Sequence, residues 1–246
     1  MFAKTLSEID INGDILLIDK PLRWTSFDVV NKLKYLIKQE FGIKKFKIGH
    51  AGTLDPLASG LLIVCIGKCT KQIPVIQDGT KGYEGTFTLG ATTASYDLEK
   101  EPENFLPYQH LTALDIEQAK EKFLGEQWQT PPAFSAVRID GKRAFDLARK
   151  GQEIAIQPKK IHIYQFDILQ TDLPQVDFAI SCSKGTYIRA LARDFGAALG
   201  CGAYLSALKR TQIGQITLNH SLFDFNQYID KNKVPGENRK KRDFEK

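Results

Sequence analysis

The order of apolar and polar residues predicts one helix and two strands in the first quarter of the chain. Residues 15–21 (ILLIDKP) form an apolar run that a proline ends, which predicts a strand. Apolar residues at positions 29, 30, 33, 36 and 37 recur with the spacing of one helix face, and Ser26 is expected to cap this helix. Residues 61–66 are almost entirely apolar, so they predict a buried strand.

The middle of the chain predicts a strand, a polar loop and a well-marked helix. Residues 82–89 alternate between polar and apolar side chains, which is typical of a half-buried antiparallel strand. The next fourteen or so residues lack an apolar period and are expected to form a polar loop. Thr112 and Asp115 then have the spacing of a capping box, which predicts the start of a helix.

The last part of the chain predicts a hairpin turn, two paired strands and another helix. Residues 129–151 contain an Asp-Gly turn and a short basic helix that a glycine ends. Residues 161–169 and 176–182 alternate in polarity and predict paired strands. Residues 186–199 carry apolar side chains at helical spacing.

This succession of elements favours an α+β fold around a mostly antiparallel sheet. Strands and helices do not alternate at the regular spacing of a doubly wound parallel sheet, and hairpin signals are frequent. Residues 1–220 are expected to form one domain, and residues 221–246 a short C-terminal segment with a basic, disordered tail. The tail holds most of the net charge of +5, because residues 231–246 contain seven Lys or Arg and three acidic residues.

Composition excludes several classes of protein. With 246 residues and 42% hydrophobic residues the chain can bury a substantial core. No apolar run approaches the length of a membrane span and the N-terminus lacks the order of a secretion signal, so a cytoplasmic protein is expected. The four cysteines form no CxxC pair, and their spacing favours reduced thiols over a zinc site.

Nucleic-acid binding would require basic residues gathered on one face, because the body of the chain is close to neutral. Each basic cluster can equally be an ordinary solvated surface. The candidate clusters are Lys44, Lys45 and Lys47; Lys142, Arg143, Arg149 and Lys150; Lys159 and Lys160; and Lys209 and Arg210.

The segment GHAGTLDPLASGLL, residues 49–62, is the strongest candidate for chemistry. It has three glycines and Asp55 as its only charge, and the predicted strand that follows would hold it on a rigid element. Taken alone, such a segment is more often a structural turn. A second candidate is the helix start with Tyr187 and Arg189, because an arginine beside a carboxylate in a dry pocket keeps that carboxylate ionised. The P-loop, GxGxxG and GxSxG motifs are absent.

Five segments in order, between about residues 10 and 214, carry a family resemblance. They are DKPLRWTSFDVVNKLK, GHAGTLDPLASGLL, KGYEGTFTLG, PPAFSAVRIDGKRAFDLARKG and SKGTYIRALARDFGAALGCGAYLSALKR. Together they resemble the bacterial TruB-type tRNA pseudouridine synthases, also called tRNA pseudouridine-55 synthases. The resemblance implies the pseudouridine-synthase fold, a central mixed and mainly antiparallel sheet flanked by helices with an active-site cleft across it. It also implies isomerisation of uridine 55 in the T arm of tRNA, by a cytoplasmic isomerase without metal or cofactor.

The resemblance also implies roles for individual residues. Asp55 matches the catalytic aspartate, and Arg189 the arginine that pairs with it. The expected supporting residues are Tyr83, which stacks on the target, Tyr187, His50 and Asp97. In the family's three proposed schemes the aspartate attacks C1′ of the ribose, removes a proton from C2′, or attacks C6 of the base.

The resemblance also implies a set of RNA-binding residues, and the chain departs from the family pattern at two positions. The RNA-binding residues are expected to be Lys20, Lys142, Arg143, Lys184, Lys209 and Arg210. Arg23 stands where the family usually has glycine, and Ala94 where it usually has an acid, which leaves the local loops less defined. A PUA-type domain is expected to be absent, tRNA is the expected partner of a monomer, and a non-catalytic tRNA-binding or folding module is the alternative function.

Overall fold

The structure is a computed structural model that describes residues 2–134, 138–139, 142–143, 156–220 and 222–229, with the backbone alone for residues 138–139 and 142–143. Its strands are β1 (Gly13–Lys20), β2 (Ile48–His50), β3 (Ala58–Gly67), β4 (Lys81–Leu89), β5 (Gly125–Gln129), β6 (Arg138–Ile139), β7 (Lys142–Arg143), β8 (Lys159–Asp172), β9 (Gln175–Cys182), β10 (Ala203–Ile213) and β11 (Ile216–Thr217). Its helices are α1 (Ser26–Phe41), α2 (Ile73–Asp78), α3 (Ala113–Glu121) and α4 (Ile188–Ala198), with short 3₁₀ helices at Leu6–Glu8, Lys68–Gln72 and Phe225–Tyr228. No helix in the described ranges is long and apolar enough to cross a membrane.

Nine strands form one sheet, and the predicted α+β fold with a mainly antiparallel sheet is confirmed. The strand order is β1-β3-β10-β4-β9-β8-β5, with β2 paired to β3 and β11 to β10. The chain divides into two compact units. The first unit comprises Met1–Gly79 and Lys209–Lys246, and the second comprises Thr80–Leu208. β10 contributes its first part to the second unit and its last part to the first.

The first unit has a strand pair that is covered on both faces. β1 and β3 pair antiparallel over their whole length, from Gly13 opposite Gly67 to Lys20 opposite Gly60. Residues of α1 pack on one face of β3, and Ile73 and Ile76 pack on the other. Burial on both faces explains why residues 61–66 form a continuous apolar run instead of an alternating one.

The second unit has a sheet that is packed by helices on one face. β4, β9, β8 and β5 pair antiparallel in that order. Inward side chains of the strands form an aromatic core with α3 and α4, in which Phe87 packs against Phe166, Phe178 and Phe195. Exposure of the opposite face accounts for the alternating polarity that predicted these strands.

The start of α1 differs from the prediction. Thr25, not Ser26, is the N-cap residue, because Thr25 has an extended backbone and its Oγ1 accepts a hydrogen bond from the Asp28 N–H at 3.0 Å. The Asp28 carboxylate accepts the Thr25 N–H in return, which completes a capping box. Ser26 is therefore released for another contact. The capping box at Thr112 and Asp115 is confirmed at the start of α3.

Four strands, β2, β5, β10 and β11, were not predicted, and the region between β5 and β8 is described only in part. Arg138 pairs antiparallel with Arg143 and Ile139 with Lys142, which is the pairing expected on the two sides of the predicted Asp-Gly turn. The turn residues 140 and 141 lie outside the described residues. The short basic helix predicted to end at Gly151 and the tail of residues 231–246 lie outside the described residues.

Candidate active site

The Asp55 loop, which we define as residues 51–57, joins two paired strands of the first unit. β2 ends at His50 and β3 begins at Ala58, and His50 pairs with Val64 of β3. Leu54 is buried beside the half-buried Asp55. The strands at both ends fix the loop, so the loop presents Asp55 from a rigid base.

Side chain and backbone contacts from the start of α1 hold the loop on both sides of Asp55. The Ser26 hydroxyl is buried, donates to the Leu54 carbonyl at 3.1 Å and accepts from the Leu54 N–H at 2.9 Å. The Arg23 N–H donates to the Pro56 carbonyl at 2.7 Å. Arg23 has a φ of 68°, a conformation that glycine adopts without steric penalty, which explains why glycine suits this position in the family pattern.

Arg210 of β10 donates hydrogen bonds to backbone carbonyls of the loop and of β3. Its guanidinium donates to the carbonyls of Gly52 at 3.1 Å, Thr53 at 3.3 Å and Leu61 at 2.8 Å. Its side chain is only 1% exposed. The backbones approach closely here, because a Cβ at Gly60 would lie 2.3 Å from the Arg210 carbonyl oxygen. One planar, permanently charged side chain thus fixes three carbonyls around Asp55.

Lys20, at the end of β1, is a second buried cation in the first unit. Its Nζ donates to the carbonyls of Pro21 at 3.0 Å and Trp24 at 2.5 Å. Burial lowers the pKa of Lys20 to about 8, the Asp55 carboxylate opposes this shift, and the Arg210 charge adds to it. Lys20 and Asp55 are therefore coupled electrostatically.

The predicted RNA contacts of Lys20 and Arg210 need correction. Both side chains are buried, with 0% and 1% exposure, and they donate to backbone carbonyls. An RNA phosphate needs a cation at the surface, so these two residues support the fold of the site instead. Lys209 and Lys184 are exposed, as RNA-binding residues should be. Of Lys142 and Arg143 only the backbone, in β7, is described.

The burial of Lys20 predicts a pH-dependent stability. The pKa is about 8 in the folded protein against 10.5 ordinarily, so the unfolded chain binds more protons between these values. The Lys20 contribution to the free energy of unfolding should therefore rise as the pH rises from 8 to 10.5, by at most about 3 kcal/mol. Lys20→Met should lack this rise when denaturant unfolding is measured across this range.

Comparison with a surface variant isolates the effect of Lys20. Lys209→Met removes the same functional group from an exposed position. The difference in unfolding free energy between wild type and Lys20→Met should change with pH, and that between wild type and Lys209→Met should stay constant. A pH-independent difference for Lys20→Met would contradict a lowered pKa.

His50 lies at the end of β2 and is half-buried. Burial lowers its pKa below the ordinary value, and the nearby Arg210 charge lowers it further. His50 is therefore neutral at physiological pH and can pack against a base without bringing a charge to the site.

A buried ion pair organises the candidate residues of the second unit. The Nε of Arg189, in the first turn of α4, lies 3.5 Å from Oδ2 of Asp97, and both side chains are less than a tenth exposed. Arg189 also donates to the carbonyls of Ser95 at 3.2 Å and Phe134 at 3.1 Å. The other Asp97 oxygen accepts the Glu99 N–H at 3.0 Å. The structure thus brings together Arg189 and Asp97.

The loop that carries Asp97 is polar, as predicted, but much of it is buried. Thr93 and Ser95 are almost fully buried, and their hydroxyls donate to the Asp97 carbonyl at 2.7 and 3.1 Å. Tyr96 has a φ of 62° and its ring lies under the guanidinium of Arg193, 5.0 Å from centroid to Cζ. Internal hydrogen bonds therefore replace solvent for this loop.

The two candidate tyrosines also lie in the second unit. Tyr83 of β4 is half-buried, packs against the aromatic core and lies opposite Ile180 of β9. Tyr187 is the N-cap residue of α4, two residues before Arg189. The Nζ of Lys159 lies 4.4 Å from the centroid of the Tyr187 ring.

The candidate residues therefore form two sets. Asp55, His50, Lys20 and Arg210 belong to the first unit, and Arg189, Asp97, Tyr83 and Tyr187 to the second. The predicted Asp55–Arg189 pair has one member in each set and stays a prediction. Sequence reasoning missed Ser26 as a support of Leu54, because its place beside a helix start favoured a capping role.

Two family models match consecutive parts of the chain, from residue 38 to residue 239. Residues 38–188 match the model described as "TruB family pseudouridylate synthase (N terminal domain)". The chain belongs to the TruB family. Residues 189–239 match "tRNA pseudouridylate synthase B C-terminal domain", so this module, rather than a PUA-type domain, is the TruB element that follows. The match extends into residues 221–246, and the predicted boundary after residue 220 stays a prediction.

Individual TruB relatives are similar over most of their length. The chain is 49% identical to tRNA pseudouridine synthase B of Phocaeicola vulgatus, over 90% of this chain and 95% of that protein. It is 51% identical to tRNA pseudouridine synthase B of Flavobacterium johnsoniae, over 86% of this chain and 93% of that protein.

Solved structures with the same fold are longer than this chain. A chain in the "Crystal Structure of a Cbf5-Nop10-Gar1 Complex" has a TM-score of 0.65 and 27% identity, over 90% of this chain and 56% of that one. A chain in the "Structure of H/ACA RNP bound to a substrate RNA containing 2'-deoxyuridine" has a TM-score of 0.61 and 26% identity, over 89% of this chain and 54% of that one. This TruB chain therefore spans about half of each.

Proposed function

We propose that this protein is a tRNA pseudouridine synthase that converts uridine 55 in the T arm of tRNA to pseudouridine. The observation that carries the proposal is the near full-length similarity to proteins named tRNA pseudouridine synthase B. The fixed Asp55 loop and the buried Arg189–Asp97 pair support it, because they supply a carboxylate and a cation on rigid elements.

The reaction is an isomerisation that balances within the substrate. The N1–C1′ bond of uridine breaks, the uracil turns, and a C5–C1′ bond forms, after which C5 loses a proton and N1 carries one. We assign the first step to the Asp55 carboxylate, by attack on C1′, by removal of the C2′ proton, or by attack on C6. Each of these steps requires a carboxylate at the target and none requires an electron acceptor.

The target uridine has to leave the base stack before Asp55 can reach it. Base flipping costs a few kcal/mol, and aromatic surfaces that receive the base lower this cost. We assign the receiving surface to Tyr83 and Tyr187 and the support of the opened stack to neutral His50. Exposed Lys184 and Lys209, together with Lys142 and Arg143, are proposed to bind phosphates of the T arm.

The partner and the cellular context follow from the same proposal. The protein is proposed to act as a monomer that binds one tRNA T arm. We place the protein in the cytoplasm, where tRNA is modified. Size-exclusion chromatography with light scattering tests the monomer, since a stable dimer would contradict it.

Mapping of pseudouridine in treated RNA tests the function. Unmodified T-arm stem-loop and whole tRNA are incubated with purified protein, and pseudouridine is located by chemical modification and mass spectrometry. We expect one pseudouridine, at position 55, and none in a stem-loop that carries cytidine there. Binding of the stem-loop without conversion would instead favour a non-catalytic tRNA-binding module.

A further inference from the structure

Gln129 makes a two-point contact with the backbone of Tyr187. Its Oε1 accepts the Tyr187 N–H at 2.8 Å, and its Nε2 donates to the Tyr187 carbonyl at 3.1 Å. The two residues are 58 positions apart, and Gln129 is only 3% exposed. A buried side-chain amide that satisfies both backbone groups of one residue fixes that residue in position and direction.

Tyr187 is the point at which the chain enters α4. It is the N-cap residue, has an extended backbone with φ −101° and ψ 109°, and lacks a capping bond from its own side chain. Its carbonyl also accepts the Leu191 N–H at 3.1 Å, the first hydrogen bond of the helix. Gln129, at the end of β5, therefore fixes the N-terminus of α4. It takes the place of the usual capping bond from a side chain close in sequence.

The Tyr187 ring is held by a separate contact. The Nζ of Lys159, which lies opposite Gln129 in the β5–β8 pair, is 4.4 Å from the ring centroid. Gln129 thus holds the backbone of Tyr187 and Lys159 its ring, from neighbouring strands.

Arg189 follows Tyr187 by two residues and depends on the same helix start. Its guanidinium reaches three separate groups, the Asp97 carboxylate and the Ser95 and Phe134 carbonyls, over distances of 3.1 to 3.5 Å. A rotation of the first turn of α4 would displace the guanidinium, and all three contacts depend on its position.

We propose that Gln129 is a positioning residue for the isomerisation, whose amide fixes Tyr187 and thereby the direction of Arg189. The proposal rests on the function proposed above. It predicts an effect on the rate of the chemical step more than on RNA affinity, because Gln129 itself is buried and touches the protein backbone.

Two substitutions of Gln129 weaken its contact with Tyr187 to different degrees. Gln129→Met has a similar length and removes both hydrogen bonds, whereas Gln129→Asn keeps a neutral amide on a side chain that is one methylene shorter and cannot hold both groups of Tyr187 at hydrogen-bond distance. We expect the single-turnover rate at saturating T-arm stem-loop to fall about 10- to 100-fold in Gln129→Met and less in Gln129→Asn. The Kd for the stem-loop should stay within about twofold.

A matched control separates positioning from general weakening of β5. Gln127 lies on the same strand, and its Nε2 donates to the Lys122 carbonyl at 3.0 Å, away from α4. Gln127→Met should keep the wild-type rate. Thermal unfolding monitored by circular dichroism verifies that each variant is folded, and Gln129→Asn provides the test if Gln129→Met does not fold.

The outcomes distinguish this inference from the proposed function. Wild-type activity with a graded loss in the two Gln129 variants and an unchanged Kd supports positioning. Wild-type rates in folded Gln129→Met or Gln129→Asn would overturn it, as would a loss that appears only in the Kd. Absence of pseudouridine with wild-type protein would contradict the proposed function, on which this inference depends.

Discussion

Replacing Asp55 by asparagine should abolish pseudouridine formation while leaving RNA binding intact. The amide is nearly the same size as the carboxylate, so the loop held by Ser26 and Arg210 should keep its shape. An amide neither attacks C1′ or C6 effectively nor accepts a proton from C2′. We expect the single-turnover rate to fall by about four orders of magnitude or more.

Anisotropy measurements with a labelled T-arm stem-loop should show that the Asp55→Asn Kd lies within about threefold of the wild-type value. Asp19→Asn is the matched control, since Asp19 is another carboxylate whose charge acts on Lys20 but which lies on β1, outside the loop. That variant should remain active. Pseudouridine formation by Asp55→Asn at the wild-type rate would show that Asp55 is not the catalytic carboxylate.

The regular strands were predictable because their burial follows their polarity. β8 and β9 alternate in the sequence as they do in the sheet, and β3 is continuously apolar because both of its faces are covered. The start of α3 was predictable for a different reason. The capping box at Thr112 consists of hydrogen bonds between residues that are close in the sequence. Local patterns thus identified the elements whose environment is regular.

Two of the missed strands, β5 and β10, each bury a polar residue at a position that the pattern counts as surface. β5 ends at buried Gln129, and β10 turns Arg210 inward. A pattern of alternating hydropathy counts such polar residues as solvent-facing, so it does not predict the strand. Both side chains are buried because they bind backbone groups elsewhere in the chain, which no local pattern records.

The chemistry was visible in the sequence, whereas its supports were not. Asp55 could be singled out from one glycine-rich segment and five ordered motifs. The contact from Ser26 to Leu54 spans 28 residues, and that from Arg210 to Gly52 spans 158. Contacts of that separation are fixed only by the folded topology, so sequence reasoning assigned Arg210 to RNA instead.

Each unit uses one buried arginine in the same way. Arg210 donates to the carbonyls of Gly52, Thr53 and Leu61 around Asp55, and Arg189 donates to those of Ser95 and Phe134 beside Asp97. The planar guanidinium can serve several carbonyls at once, so one side chain orders a loop that lacks regular hydrogen bonds. The first loop carries Asp55, to which the proposed chemistry is assigned, and the second carries Asp97, which pairs with Arg189.

Replacing Arg210 by lysine should reduce catalysis without a matching loss of RNA affinity. Lysine keeps the charge, but its single ammonium group cannot reach three carbonyls in the geometry of the guanidinium fork. The backbone of the Asp55 loop should shift, and a shift of about 1 Å at a catalytic group lowers the rate about 100-fold. Single-turnover kinetics and stem-loop binding measure the two effects separately.

Lys209, next to Arg210 on β10, should affect RNA affinity and not the rate of catalysis. Lys209 is exposed where Arg210 is buried, so Lys209→Ala should weaken binding and lower the salt dependence of the Kd by about one phosphate contact, while the rate at saturating RNA is retained. If Arg210 bound RNA directly, Arg210→Lys would keep most of the rate and Arg210→Met would show the salt signature of Lys209→Ala. Loss of rate in Arg210→Lys with an unchanged salt slope is the result expected of a residue that holds the Asp55 loop in place.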